Sequence, residues 1–171
     1  SVLDAAGALS GHLAELTAAV QGARMEADAS IARQVGMLND TLAQIDHLNA
    51  SIVAQRASGN DASALMDQRQ SLVDRVAEIV PVREVAREHD QISLYTTGGA
   101  ILLEGNPAQI GFSPVGVITA DMTLSSGALS GLTINGMAVP SGDDGVLGGG
   151  TLGAMFAIRD ALAPEAQTAF D

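Results

Sequence analysis

The first proline of this chain is Pro81, and the residues before it carry an apolar pattern with the period of an α-helix. Apolar or small residues, with one asparagine among them, recur at spacings of three and four, about 3.6 residues per step. They are Leu9, Leu13, Leu16, Val20, Ala23, Ala27, Ile31, Val35, Leu38, Leu42, Ile45, Asn49 and Ile52. A helix over residues 5–57 would be about 80 Å long, whereas a globule of this size is about 40 Å across. The pattern therefore predicts part of a rod.

The composition of the chain argues against several classes of function. The chain has 20 acidic residues against 8 basic ones and a net charge of -12, and such a surface repels nucleic acid and anionic lipid. It contains no cysteine, and all its basic residues are arginine, which removes disulfides, thiolate metal sites and lysine-based catalysis. No apolar run is long enough to cross a bilayer. We therefore expect neither a nucleic-acid partner nor a membrane partner.

Four glycines interrupt the helical pattern: Gly7, Gly11, Gly22 and Gly36. Each costs roughly 1 kcal/mol relative to alanine in a helix, so each is a place where the helix can bend or break. A glycine can also mark the close approach of a second helix. The sequence leaves both interpretations open.

Residues 58–61 combine a helix stop with a helix start, and a second helix over residues 62–80 is expected to pack antiparallel on the distal part of the first. From residue 82 to 146 the apolar period becomes two, which indicates a small antiparallel β unit. Asn135-Gly136 is the best hairpin signal, because a type I′ turn needs positive φ at both central residues. Helical pattern resumes with Thr151 as a possible N-cap, and Pro164 starts a further helix.

The sequence thus predicts an α+β fold: an elongated antiparallel helical bundle built on one long helix, with a small antiparallel β unit inserted between the second and third helices. Residues 1–80 would form the long and returning helices of the rod, residues 81–150 the β subdomain, and residues 151–171 the truncated returning helices. The second helix is too short to cover the apolar stripe of the first. We expect a fragment of a longer protein whose two ends pair in one bundle.

No residues suggest a metal, cofactor or catalytic site. His12, His47 and His89 lack the spacing that places two imidazoles on one helical face, and residues 143–145 lack the alternating acids of a calcium loop. Asn49 is polar on an apolar stripe. It either fixes register against a partner helix or has drifted to the edge of the stripe, and both interpretations stay open.

Two pairs of opposite charges are candidates for a structural role. Asp67 and Arg69 lie on the second helix, and Arg159 and Asp160 lie on the third. As catalytic groups they would have no nucleophile or metal to serve. We hypothesise a polar clasp in which Arg159 or Asp160 contacts residues 67–69 and anchors the returning helix beside the second one.

Three segments carry recognisable motifs, and two of them are residues 65–73 (LMDQRQSLV) and residues 149–160 (GGTLGAMFAIRD). They resemble two motifs of the flagellar hook-associated protein FlgK family, its L-x-D-Q-R-D-x-L stretch and its G-G-x-L-x-G-L-L-x-x-R-D return into the helical bundle. Residues 38–49 resemble its asparagine-bearing helix, N-x-x-I-x-x-L-N. The chain departs from the family at Gln70, where aspartate is usual, and at Ala154, where glycine is common.

The resemblance implies a non-enzymatic structural subunit at the junction between flagellar hook and filament. It further implies export without a cleaved signal peptide, an extracellular location and a ring of copies. The partners implied are the hook protein, the second hook-filament junction protein, and an export chaperone that binds outside this segment. The main alternative is a stalk-and-head binding module of an extracellular adhesin or sensor, and an enzyme is a distant third.

Overall fold

The computed structural model describes residues 1–169, so the last two residues of the expected 151–171 segment lie outside the described residues. Its dominant element is one uninterrupted helix, α1 (Val2–Ala57), of 56 residues. Ser1 caps it: the hydroxyl accepts the Asp4 N–H, and the Asp4 carboxylate accepts from the Ser1 backbone nitrogen. At about 1.5 Å per residue α1 is about 84 Å long, which confirms the prediction of a rod-length helix.

The four glycines of α1 neither break the helix nor mark a close approach. Nothing lies within 4 Å of the position that a Cβ would take at Gly7, Gly11, Gly22 or Gly36. Of the possibilities left open by the sequence, a break does not occur, because α1 is continuous from Val2 to Ala57. The helix continues because a single glycine, at about 1 kcal/mol relative to alanine, costs too little to end it.

The second helix, α2 (Ser63–Ile79), turns back along the C-terminal part of α1. Its buried residues face the apolar stripe of α1, as the antiparallel pairing required. They are Arg69, Leu72, Val73, Val76 and Ile79.

Two small antiparallel sheets follow. The first has the order β1-β2-β3 and the second has the order β4-β5-β6. The strands are β1 (Val82–Ala86), β2 (Ile92–Thr96), β3 (Ile101–Leu103), β4 (Ile110–Gly111), β5 (Leu132–Ile134) and β6 (Met137–Val139). A 3₁₀ turn (Glu88–Asp90) connects β1 to β2.

The hairpin between β5 and β6 is the one expected from the sequence. Ile134 pairs with Met137, and the two residues between them, Asn135 and Gly136, have φ of 50° and 82°. Positive φ at both positions is the signature of a type I′ turn.

The chain returns to the rod through α3 (Gly150–Ala157), a π-helical turn (Ile158–Leu162) and α4 (Ala163–Thr168), with Pro164 in the first turn of α4. The expectation that Thr151 is the N-cap is wrong. Gly149 is the cap, and the Thr151 hydroxyl instead donates to Gln34 Oε1 on α1 at 2.7 Å. Gly150 has a φ of 63°, and a Cβ there would lie 2.4 Å from the Ile79 carbonyl oxygen, so α3 begins against the end of α2.

One hydrophobic core lies where α1, α2, both sheets and α3 meet. On α1 it extends from Ile31 to Leu48. Before Arg24 the helix is exposed or half-buried, and Leu9 retains 60% of its surface. The predicted fold class is confirmed: a helical rod with an antiparallel β unit inserted between α2 and α3.

Candidate functional site

Four polar side chains on or beside the buried face of α1 hold other parts of the chain against the helix. Arg24, Asp28 and Asn49 are buried at 2%, 0% and 5% exposure, and Asn39 is half-buried. A buried polar group left without a partner destabilises the folded state by about 1–3 kcal/mol. Their partners therefore show which parts of the chain α1 positions.

The Asn49 cluster (Asn49, Arg69, Asp90 and Ile92) joins α1, α2 and the first sheet. Asn49 Nδ2 donates to the Ile92 carbonyl at 2.9 Å, and Asn49 Oδ1 accepts from the Ile92 N–H at 3.2 Å. Arg69 Nη1 donates to Asn49 Oδ1 and to the Asp90 carbonyl, both at 2.7 Å. Burial lowers the pKa of Arg69, while the charges of Glu84 and Asp90 act in the opposite direction.

This geometry decides between the two interpretations of Asn49. The side chain is buried and fixes register, but its main partner is strand β2 rather than another helix. A primary amide presents one donor and one acceptor in the same plane, as a peptide group does. Asn49 therefore bonds to Ile92 as a neighbouring strand would.

Asn39 repeats the arrangement on the second sheet. Its Nδ2 donates to the Ile110 carbonyl at 2.8 Å, and its Oδ1 accepts from the Ile110 N–H at 2.9 Å. Ile110 lies in β4 and is buried at 1% exposure. At about 1.5 Å per residue, Asn39 and Asn49 lie about 15 Å apart along α1. Each sheet is thus tied to the rod by one asparagine.

The Arg159 cluster (Arg24, Asp28, Arg159 and Asp160) is a buried charge network. Arg159 and Asp28 have side-chain exposures of 0% and 1%, and Arg159 Nη1 lies 2.9 Å from Asp28 Oδ1. Arg159 Nε donates to Asp160 Oδ1 at 2.7 Å. Arg159 lies in the π-helical turn, so this pair ties the returning helices to α1.

Two phenylalanine rings enclose the Arg159 guanidinium. Its central carbon lies 5.7 Å from the ring centroid of Phe112 and 5.0 Å from that of Phe156, within cation–π range. Burial acts to lower the pKa of Arg159, but the hydrogen bonds to Asp160 and Asp28 and the negative charges of these two carboxylates together outweigh burial and raise the pKa above its ordinary value. The Arg159 side chain therefore stays positively charged, and its contacts hold the surrounding elements together.

Arg24 donates three hydrogen bonds, all to backbone carbonyls. Nε reaches Arg159 at 2.8 Å, Nη1 reaches Thr119 at 3.2 Å and Nη2 reaches Met122 at 2.6 Å. Burial lowers the pKa of Arg24, and the nearby charge of Asp160 opposes that effect. Arg24 therefore connects α1 to the π-helical turn and to the loop between β4 and β5.

The structure does not bring the four expected clasp residues together. Arg69 belongs to the Asn49 cluster and Arg159 to the Arg159 cluster, while Asp67 is exposed on α2. Asn49 and Asp28, their respective partners on α1, are about 32 Å apart along the helix. Each arginine instead clasps its own helix to α1.

Arg24, Asp28 and Asn39 were not among the site residues predicted from the sequence. A signal for the first two was present: Asp28 precedes Ile31 by three positions, and Arg24 precedes Asp28 by four, so both continue the buried stripe. Charged residues in phase with an apolar stripe indicate buried, paired groups. Asn39 has the same spacing, four positions after Val35 and three before Leu42, but it is uncharged and so gives a weaker signal.

Two cavities flank the Arg159 cluster. One of about 220 Å³ is lined by residues that include Leu124, Asp143 and Phe156, and one of about 340 Å³ includes Arg24, Leu124 and Pro164. Within residues 1–169, His, Cys, Asp and Glu side chains form no group of three that could hold a metal ion. No helix in the described part of the chain is long and apolar enough to span a membrane.

Comparisons with known proteins identify a matching family and a similar structure. The family model of the flagellar hook-associated protein FlgK helical domain matches residues 1–171. The structure of the flagellar hook junction protein FlgK from Burkholderia pseudomallei is similar, with a TM-score of 0.61 and 23% sequence identity. The match covers 86% of this chain and 26% of that protein, so this chain spans about a quarter of its length. Among curated proteins no sequence matches.

Proposed function

The chain belongs to the helical-domain family of the flagellar hook-associated protein FlgK, and we propose that it is the rod-building part of a subunit at the hook–filament junction. The observation that carries this proposal is α1 itself. The length of this 56-residue helix exceeds the diameter of a compact globule with the same number of residues as the chain. Its buried polar side chains form hydrogen bonds with the other elements of the fold. Such an arrangement suits a structural element that transmits mechanical force.

We propose that the chain is divided into a rod and a β subdomain along the three segments expected from the sequence. In this proposal residues 1–80 and the returning helices from residue 151 onward belong to the rod, and residues 81–150 are the β subdomain that the rod carries. The Asn39 and Asn49 contacts support this division, because they fix both sheets at defined heights on α1.

Assembly by helix packing and lateral subunit contacts is the next part of the proposal. The N-terminal part of α1 supports it: Leu9 is 60% exposed, and Leu13, Leu16 and Val20 remain half-buried on the same stripe. Exposed apolar stripes at helical spacing pack against further helices. The partners proposed are the hook protein, the second hook-filament junction protein and copies of the same subunit, outside the cell. The export chaperone would bind elsewhere in the full-length protein.

Deletion of the encoding gene tests this function. Cells without the protein should assemble hooks but shed filament subunits into the medium, because the junction that seats the filament is missing. Electron microscopy of the cell surface and immunoblotting of the medium measure these two outcomes.

The same deletion separates a junction subunit from a stalk-and-head adhesin or sensor. Loss of an adhesin would leave filaments and swimming intact and would reduce attachment. A deletion strain with normal filaments would therefore contradict the junction role. Reintroduction of the unmodified gene must restore filaments, which controls for effects on neighbouring genes.

A further inference from the structure

Residues 113–131, hereafter the strap, connect β4 to β5 without forming a helix or strand. The strap is bound to the bundle mainly through its backbone. The Val115 N–H donates to Asp28 Oδ2 at 2.7 Å, and the Ser130 carbonyl accepts from Arg159 Nη2 at 2.8 Å. Arg24 binds the carbonyls of Thr119 and Met122. Three charged side chains thus hold four points of the strap.

Apolar attachment of the strap is small. Ile118 and Leu129 are buried at 2% and 3% exposure, yet neither belongs to the main hydrophobic core. Val117 is 67% exposed and Leu124 is 37% exposed. Regions with few buried apolar contacts open at a lower free energy than the core of the same protein.

The strap also bonds to itself. The Met122 N–H donates to the Thr119 carbonyl at 3.1 Å, and the Leu129 N–H donates to the Thr123 carbonyl at 3.2 Å. Between these, the Ser126 hydroxyl donates to the Thr123 carbonyl at 2.9 Å. These internal bonds need not break when the strap leaves the bundle.

Leu124 of the strap lines both cavities beside the Arg159 cluster, and Asp160 is their other common wall. The cavities lie over α3, the π-helical turn and α4, since Phe156 lines one and Pro164 lines the other. Movement of the strap would therefore open both cavities to solvent over the returning helices.

We propose that the strap is a latched cover that opens as a unit while the rod and both sheets stay folded, with Arg24, Asp28 and Arg159 as the latch. Opening exchanges the backbone–charge hydrogen bonds for hydrogen bonds to water, and it exposes Ile118 and Leu129, the two strap side chains that are buried at 2% and 3% exposure. It uncovers the two cavities over α3 and α4. The strength of the latch contacts determines how frequently the strap opens.

The chain contains no cysteine, so single introduced thiols report opening site by site. Ile118→Cys places a thiol on the buried side of the strap itself, and Val76→Cys places one in the rod core, where the side chain is 0% exposed. Under native conditions a maleimide should label the Ile118→Cys chain at least about tenfold faster than the Val76→Cys chain. Equal labelling rates at the two sites would mean that the strap opens only on global unfolding, which overturns the proposal.

The latch is tested by adding Asp28→Asn to each cysteine variant. This substitution removes the charge that both the Val115 N–H and Arg159 use, and it should speed labelling at position 118 about tenfold more than at position 76. An equal acceleration at both sites would overturn the latch. Should Asp28→Asn prevent folding, Arg24→Gln, which weakens two strap contacts, is added instead and must show the same site difference.

Discussion

At the scale of single residues, Asn49 carries the most specific chemistry on α1. It accepts from two donors and donates to one carbonyl. Aspartate would keep the acceptor but lose the donor, and glutamine would extend the amide by one methylene beyond Ile92. The position therefore demands the asparagine side chain in both chemistry and length.

Replacement of Asn49 by alanine should lower the free energy of unfolding by about 2 kcal/mol, because it leaves buried donor and acceptor groups of Ile92 and Arg69 unpaired. Urea denaturation followed by far-UV circular dichroism measures the change. Asn60→Ala is the matched control, since Asn60 is exposed and its substitution should change the free energy by less than about 0.5 kcal/mol. An equal effect of the two substitutions would contradict the role assigned to Asn49.

Arg159→Met should cost about 3–5 kcal/mol, because the substitution leaves the Asp28 carboxylate buried without its cation. The double variant Asp28→Leu/Arg159→Met removes both charges and should recover part of that loss. Recovery cannot be complete, since the strap contacts at Val115 and Ser130 stay broken. Denaturation midpoints of both variants, measured side by side, test this order; a double variant less stable than the single one contradicts it.

At the scale of secondary-structure elements, two glycines should respond in opposite directions to the same substitution. Gly36→Ala should stabilise the protein by about 0.5–1 kcal/mol, since Gly36 is exposed inside α1 with open space at its Cβ position. Gly150→Ala should destabilise it, because the new Cβ would meet the Ile79 carbonyl at a residue with positive φ. Thermal unfolding compares the two, and a gain in melting temperature for Gly150→Ala would refute the close approach.

Element boundaries could be predicted because they depend on neighbouring residues. The expected helices over residues 5–57 and 62–80 correspond to Val2–Ala57 and Ser63–Ile79, and the Asn135-Gly136 turn lies where its backbone preference requires it. Thr151 shows the limit of this reasoning. A threonine before a helical pattern is a good local N-cap, yet Gln34 of α1 binds its hydroxyl instead.

The partners within the polar clusters could not be predicted from local pattern, because these partners are distant in sequence and are mostly backbone groups. Asn39 and Asn49 bind Ile110 and Ile92 through peptide groups, which every residue possesses. The pairing of Arg159 with Asp28 spans most of the chain, and it displaced the expected contact with residues 67–69 because α1, rather than α2, lies beneath the π-helical turn. Opposite charges in a sequence suggest ion pairs without specifying which ones form.

At the scale of the whole molecule, the rod has two different halves. The half of α1 that follows Arg24 is covered by α2, both sheets and the returning helices, whereas the half before it keeps its apolar stripe largely uncovered. Stability of this chain therefore depends on the covered half. Assembly, under the proposed function, depends on the uncovered one.

This separation predicts a substitution that affects assembly without affecting folding. Leu9→Glu places a charge on the uncovered stripe, and since Leu9 is 60% exposed the free energy of unfolding should change by less than about 0.5 kcal/mol. In cells that carry the substitution in the full-length protein, filaments and swimming should be lost, because a charge buried between packed helices is costly. Soft-agar motility and electron microscopy measure the effect in cells, and urea denaturation measures it in the isolated chain.

Ala18→Glu is the control that isolates the stripe. Position 18 is exposed and, at about 100° per residue, lies on the face of α1 opposite to position 9, so it adds the same charge to the other side of the rod. If the stripe packs against further helices, Ala18→Glu should leave motility near that of unmodified cells while Leu9→Glu abolishes it. Normal swimming with Leu9→Glu, or equal loss with both substitutions, would show that this stripe is not where the rod continues its packing.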